Sequence, residues 1–244
     1  MLSSSLPRAA RAAILALLTL FAALPARCES LRIFAAASLT DVLVPLAEAY
    51  EAAHPQDELT LVLAGSGTLA RQIDQGARGD LFLSANADWV EWLRARDIGD
   101  APRVVARNRL VWASLDPLPE GDAPPSGRIA IADPASVPAG RYARAHLEAI
   151  DAWDSLAGRL LYARNVRDAL AWTARGDVAA GIVYATDAQA VPGLHARAIP
   201  ADTHPSIDYV ALPLTPEGAR IATFLSGDAA QAILAEFGFL PPPD

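Results

Sequence analysis

Between residues 31 and 214 short apolar runs of strand type alternate with helical patterns, and that alternation narrows the folds open to the chain. "LRIFAAA" (31–37) reads as a buried strand. "SLTDVLVPLAEAYEAAHP" (38–55) reads as a helix, with apolar residues at 39, 42, 43, 46, 47 and 50 on one face. Pro45 inside it should remove one ladder bond and kink the helix. "ELTLVLAG" (58–65), "DLFLSA" (80–85) and "RLVWAS" (109–114) follow as strands, with "TLARQIDQG" (68–76) and "DWVEWLRARD" (88–97) as the helices between them. "LDPLPEGDAPPSG" (115–127) is a loop, and the alternation then restarts. Strands are expected at 128–134, 159–164, 179–185, 194–200 and 207–214, and helices at 139–150 and 166–176, with two more closing the chain. Repeated strand–helix units imply an α/β fold with parallel sheets. Two such runs, joined around 109–114 and 207–214, suggest two lobes with a cleft between them.

The first 28 residues do not join this pattern. Arg8 and Arg11 precede an apolar run, "AAILALLTLFAAL" (12–24), that is too short to span a bilayer, and Ala26 and Cys28 fit a cleavage site before Glu29. The segment reads as a secretory signal peptide, which implies export. Bulky Arg27 argues against a lipid-modified Cys28. Cys28 is the one cysteine, so the mature chain would hold no disulfide and no thiol ligand. The chain has no lysine, and removing 1–28 leaves 17 arginines against 28 acidic residues, a net −11. That balance argues against nucleic acid and anionic membranes as partners.

Catalytic arrangements are hard to assemble. Gly65 and Gly67 flank Ser66 directly, whereas a nucleophile elbow places one residue between the serine and each glycine. The four histidines are scattered, no Cys/His spacing suits a metal, and a phosphate-binding P-loop needs lysine. Gly65, Gly67 and Ala70 do fit the dinucleotide pattern G-x-G-x-x-G/A. A nucleotide enzyme would, however, need an acidic residue ending the next strand, and that strand ends in Ser84-Ala85-Asn86.

One junction recurs. Ser38 and Ser66 each follow a strand and start a helix; Ala139 and Val166 start helices after strands; Tyr184 ends a strand. In open parallel sheets, ligands collect at such strand ends. Helix starts offer N–H groups without internal partners and about half a positive charge, so they hold oxyanions without lysine or arginine. Ordinary helix capping is the competing reading for the two serines, and a half-buried core position for Tyr184.

The blocks "FAAASLTD" (34–41), "AGSGTLARQI" (64–73), "GDLFLSANADW" (79–89), "DPASVPAGRYA" (133–143), "AWDSL" (152–156), "NVRDAL" (165–170) and "GIVYATDA" (181–188) resemble the periplasmic molybdate-binding proteins of bacterial molybdate ABC importers, in order, over about 31–240. The resemblance implies a two-lobed type II periplasmic binding protein fold with a two-strand hinge. Lobe I would comprise 31–111 and 207–244, and lobe II 112–206. It implies a monomeric carrier, not an enzyme, that captures molybdate or tungstate in the periplasm, without a cofactor, and delivers it to a membrane permease. Sulfate is the alternative cargo on this fold. By motif match the ligand donors fall on the hydroxyl and N–H of Ser38 and Ser66, the N–H of Ala139 and Val166, and the phenol of Tyr184. Gly65 and Gly67, where some relatives carry serine, are expected to loosen the Ser66 loop.

Overall fold

The computed structural model describes residues 29–121 and 123–243; the signal peptide expected at 1–28 lies outside them. Strands β1 (Glu29–Ala36), β2 (Asp57–Ala64), β3 (Leu81–Ser84) and β4 (Arg103–Asn108) come first in the chain. The next five are β5 (Leu110–Ser114), β6 (Ile129–Ala132), β7 (Leu160–Ala163), β8 (Ala180–Tyr184) and β9 (His195–Ala198). β10 (Ile207–Pro213) then returns to the first group. They form two five-stranded sheets, ordered β2-β1-β3-β10-β4 and β7-β6-β8-β5-β9. In each sheet four strands run in one direction, and β10 or β5, the first strand after a crossover from the other sheet, runs against them and pairs antiparallel with its neighbours.

The helices fill the connections. A 3₁₀ turn (Ala37–Leu39) and α1 (Thr40–Ala53) follow β1, α2 (Ser66–Asp74) follows β2, and α3 (Ala87–Arg94) follows β3. In the second lobe α4 (Pro138–Ala149) and the single turn α5 (Trp153–Leu156) lie between β6 and β7, α6 (Val166–Ala174) follows β7, and α7 (Ala185–Gln189) follows β8. α8 (Pro216–Leu225) and α9 (Asp228–Glu236) close the chain. α1 continues through Pro45, which has no N–H to give the Asp41 carbonyl, and it buries Val42, Leu43, Leu46 and Tyr50 against the first sheet. Full burial of each such side chain stabilises the fold by about 1.5–3 kcal/mol. β6 is buried at every residue, as a parallel strand covered on both faces must be. Among the described residues, no helix is long and apolar enough to cross a membrane.

Two details differ from the sequence expectation. β4 adds an edge strand at 103–108, where Arg103 and Arg107 interrupt the apolar pattern; its outer edge is partly covered by an antiparallel bridge between Arg107 and Leu240. The expected lobe boundary at 111/112 runs through β5. Leu110 pairs with Tyr184, and Val111 with Val183 and Ala198, so both belong to the second sheet. The chain therefore crosses between sheets at Arg109, and again between β9 and β10.

Candidate functional site

The strand ends of the two sheets face each other across a small, closed cavity. Ser38, Ser66, Ala139, Val166 and Tyr184 all line it, and each is at most 3% exposed. Ser38 sits in the 3₁₀ turn before α1, and Ser66 is the first residue of α2. Ala139 and Val166 lie in the first turns of α4 and α6, so their N–H groups have no acceptor within their own helices. Tyr184 ends β8. Among the described residues no charged side chain lines the cavity, so charge compensation from them must come from dipoles.

The hydroxyl groups are already oriented from behind. Neither serine caps its helix: Gly65 takes the N-cap position of α2, without a side-chain bond. The Ser66 Oγ instead accepts the Ala85 N–H at 3.1 Å, and the Ser38 Oγ lies 2.8 Å from the Tyr209 hydroxyl. The Tyr184 hydroxyl is buried and, among the described residues, has no hydrogen-bond partner. Burial, then the nearby Tyr209 and Tyr142 phenols and Asp187, hold its pKa well above 10, so it remains a neutral donor. A buried donor without an acceptor costs about 1–3 kcal/mol, and an acceptor placed in the cavity would recover that.

The glycines around Ser66 do not loosen this arrangement. A Cβ on Gly67 would overlap the Ser136 carbonyl oxygen of the other lobe and come within 2.5 Å of the Trp89 ring. One on Gly65 would lie 3.1 Å from the Arg164 carbonyl oxygen and 3.2 Å from a Val137 methyl. Both glycines are there for volume: they let the second lobe approach the start of α2.

Residues 31–240 match the family described as bacterial extracellular solute-binding proteins. The chain belongs to that family. It is 35% identical to the molybdate-binding protein ModA of Haemophilus influenzae over 85% of this chain and 88% of that protein. It is also 35% identical to the ModA of Escherichia coli, over 85% of this chain and 87% of the relative. The periplasmic molybdate-binding protein of Azotobacter vinelandii superposes with a TM-score of 0.79 at 26% identity, covering 87% of this chain and all of that one.

In a two-lobed solute-binding protein the contacts between lobes matter as much as the cavity, and sequence reasoning missed them. Arg167, in the first turn of α6, reaches across to the first lobe. Its Nη1 lies 2.7 Å from Asp41 and its Nη2 donates to the Ser38 carbonyl at 3.3 Å. Its Nε lies 2.7 Å from Asp187, which is fully buried. Burial pushes the Asp187 carboxyl up to about 7, against the opposing pull of Arg167. On the far side, Arg141 pairs with Asp88 at 2.8 Å and lies over the Trp89 ring, while the Tyr142 hydroxyl donates to the Ala85 carbonyl at 3.3 Å. The Asn108 amide donates to Thr186 at 2.9 Å beside the crossover. Nothing in the local pattern announces these pairs, because all but Arg167–Asp187, twenty positions apart within the second lobe, join segments more than fifty residues apart.

Proposed function

We propose that this chain captures molybdate or tungstate in the periplasm and hands it to the membrane permease of an ABC importer, working as a monomeric carrier and not as an enzyme. The observation that carries this reading is the unpartnered Tyr184 hydroxyl, buried in a cavity that also gathers two serine hydroxyls and the free N–H groups of helix starts. The two serines supply two donors each, and Ala139, Val166 and Tyr184 one each. Such a set satisfies four oxygens of a tetrahedral dianion without a formal positive charge. Burying that dianion is costly unless its oxygens are hydrogen-bonded. In a water-poor cavity each of these bonds is stronger than in water.

The donor set also sorts the candidates. An all-donor shell opposes protonated phosphate, whose own hydroxyl would face another donor. Sulfate is fully ionised and must be excluded by size, since sulfur–oxygen bonds are shorter than molybdenum–oxygen bonds. Molybdate and tungstate are nearly isosteric and should bind alike. The two sheets with their covering helices act as the two lobes, and donors from both meet only when the lobes close, so ligand shifts the hinge equilibrium toward the closed form. That closed form is the one a permease would read.

A thermal-shift panel tests the reading. At about a thousandfold over Kd, molybdate and tungstate should each stabilise the protein by about 4 kcal/mol, with sulfate, phosphate and NAD inert. Ser66→Ala should weaken molybdate binding by about 1.5–3 kcal/mol in calorimetry, the range for a hydrogen bond to a charged group. A shift with sulfate and none with molybdate would reassign the cargo, and an unchanged Kd would remove Ser66 from the site.

A further inference from the structure

The Ser38 hydroxyl is backed by a directed chain of hydrogen bonds that begins at the crossover between the lobes. The Arg109 N–H donates to the Asn108 Oδ1 at 2.8 Å, which fixes the amide with its Nδ2 facing inward. That Nδ2 uses one hydrogen on Thr186 at 2.9 Å and lies 3.3 Å from the Tyr209 hydroxyl. An amide nitrogen donates and does not accept. The Tyr209 oxygen therefore accepts from Asn108, and its own proton is donated to the Ser38 Oγ at 2.8 Å. With a lone pair of Ser38 occupied in this way, the Ser38 proton is left unspent beside the cavity.

We propose that Tyr209, held by Asn108, is a positioning residue that orients the Ser38 hydroxyl to donate to the bound oxyanion. The inference rests on the oxyanion reading of the cavity and goes beyond it, since Tyr209 is not among the residues that line it. Burial holds the Tyr209 phenol protonated far above neutral pH, so the direction of the chain does not reverse over the working range. The chain has two consequences. It aligns the Ser38 proton before the ligand arrives, and it ties that alignment to the crossover strand that must bend when the lobes open.

The test is a double-mutant cycle read by calorimetry with molybdate. Tyr209→Phe in the otherwise intact protein should weaken binding about tenfold, the scale of one directed hydrogen bond to a charged site. In a Ser38→Ala background the same change should cost less than twofold, because Tyr209 acts through Ser38. Equal losses in both backgrounds, or no loss in either, would overturn the positioning role while leaving the oxyanion reading in place. Failure of the unmodified protein to bind molybdate would overturn both. Melting temperatures without ligand report whether Tyr209→Phe folds. Should it not fold, proton NMR of the unmodified molybdate complex decides instead. A slowly exchanging Tyr209 hydroxyl proton with a cross-peak to Ser38 supports the chain, and a freely exchanging one refutes it.

Discussion

The Ser38 junction is held by side chains and the Ser66 junction by backbone. At Ser38 the hydroxyl meets Tyr209, and the carbonyl meets Arg167, which also grips Asp41 and the buried Asp187. At Ser66 the hydroxyl meets the Ala85 N–H, and the flanking glycines lie against carbonyl groups of the opposite lobe. The first junction is thus exposed to changes in charge, and the second to changes in volume. Both serve one cavity, so the two vulnerabilities should separate cleanly when each is probed alone.

The largest expected effect is on the Ser38 side. Arg167→Ala removes the cation from beside Asp187, a carboxylate with no exposed surface, and breaking a buried pair in this way costs about 3–5 kcal/mol. The loss should depend on pH in a definite direction. Asp187 has a folded pKa raised from 3.8 to about 7, so the folded state binds its proton more tightly than the unfolded state. Its contribution to stability is therefore fullest below about pH 4 and declines as pH rises to about 7. Without Arg167 the carboxyl titrates higher still, and the decline continues past neutrality. Melting temperatures of the two proteins from pH 4 to 9 should diverge most above pH 7. A gap that stays constant, or narrows, would mean that Asp187 is not charged against Arg167.

The next effect belongs to the Ser66 side and should appear in affinity. Gly67→Ala inserts a methyl where the Ser136 carbonyl and Trp89 already sit. Overpacking of this kind costs about 1–3 kcal/mol. Because Ser136 belongs to the other lobe, much of the cost falls on closure. Molybdate Kd should rise about 5- to 150-fold, the same energy expressed as a ratio, with a smaller fall in the melting temperature of the ligand-free protein. Equal damage to both quantities would show that Trp89 within the first lobe, and not the opposite lobe, sets the constraint.

This division also explains what could be read from the sequence. The strand–helix alternation was legible because apolar periodicity is local, and so were the positions of the five residues that line the cavity, which stand at strand ends or helix starts. Strand β4 was not legible. Its arginines break the pattern, and it is held by pairing with β10, about a hundred residues away. Tyr209 and Arg167 were invisible as parts of the site for the same reason: Tyr209 is 171 positions from Ser38, and Arg167 is 126 from Asp41. Gly65 and Gly67 were legible as unusual but not in meaning. The spacing resembled a dinucleotide turn, while the groups that leave no room for a Cβ are Ser136 and Arg164 of the other lobe and, beside Gly67, Trp89 of their own.

The smallest expected effect tests whether a charge on the Ser66 side matters as one does on the Ser38 side. Arg141 and Asp88 join the lobes at 2.8 Å, but their side chains are 33% and 63% exposed. Solvent and salt screen such a pair, and exposed pairs are worth about 0.2–1 kcal/mol. Arg141 also covers the Trp89 ring, a contact that Arg141→Ala removes and that salt weakens less than the ion pair. Arg141→Ala should raise the molybdate Kd less than about fivefold, and added salt should shrink that difference. A loss as large as that of Gly67→Ala, unchanged by salt, would place the main closure contact at Arg141 and Trp89 and would end the distinction between a charge-held and a volume-held junction.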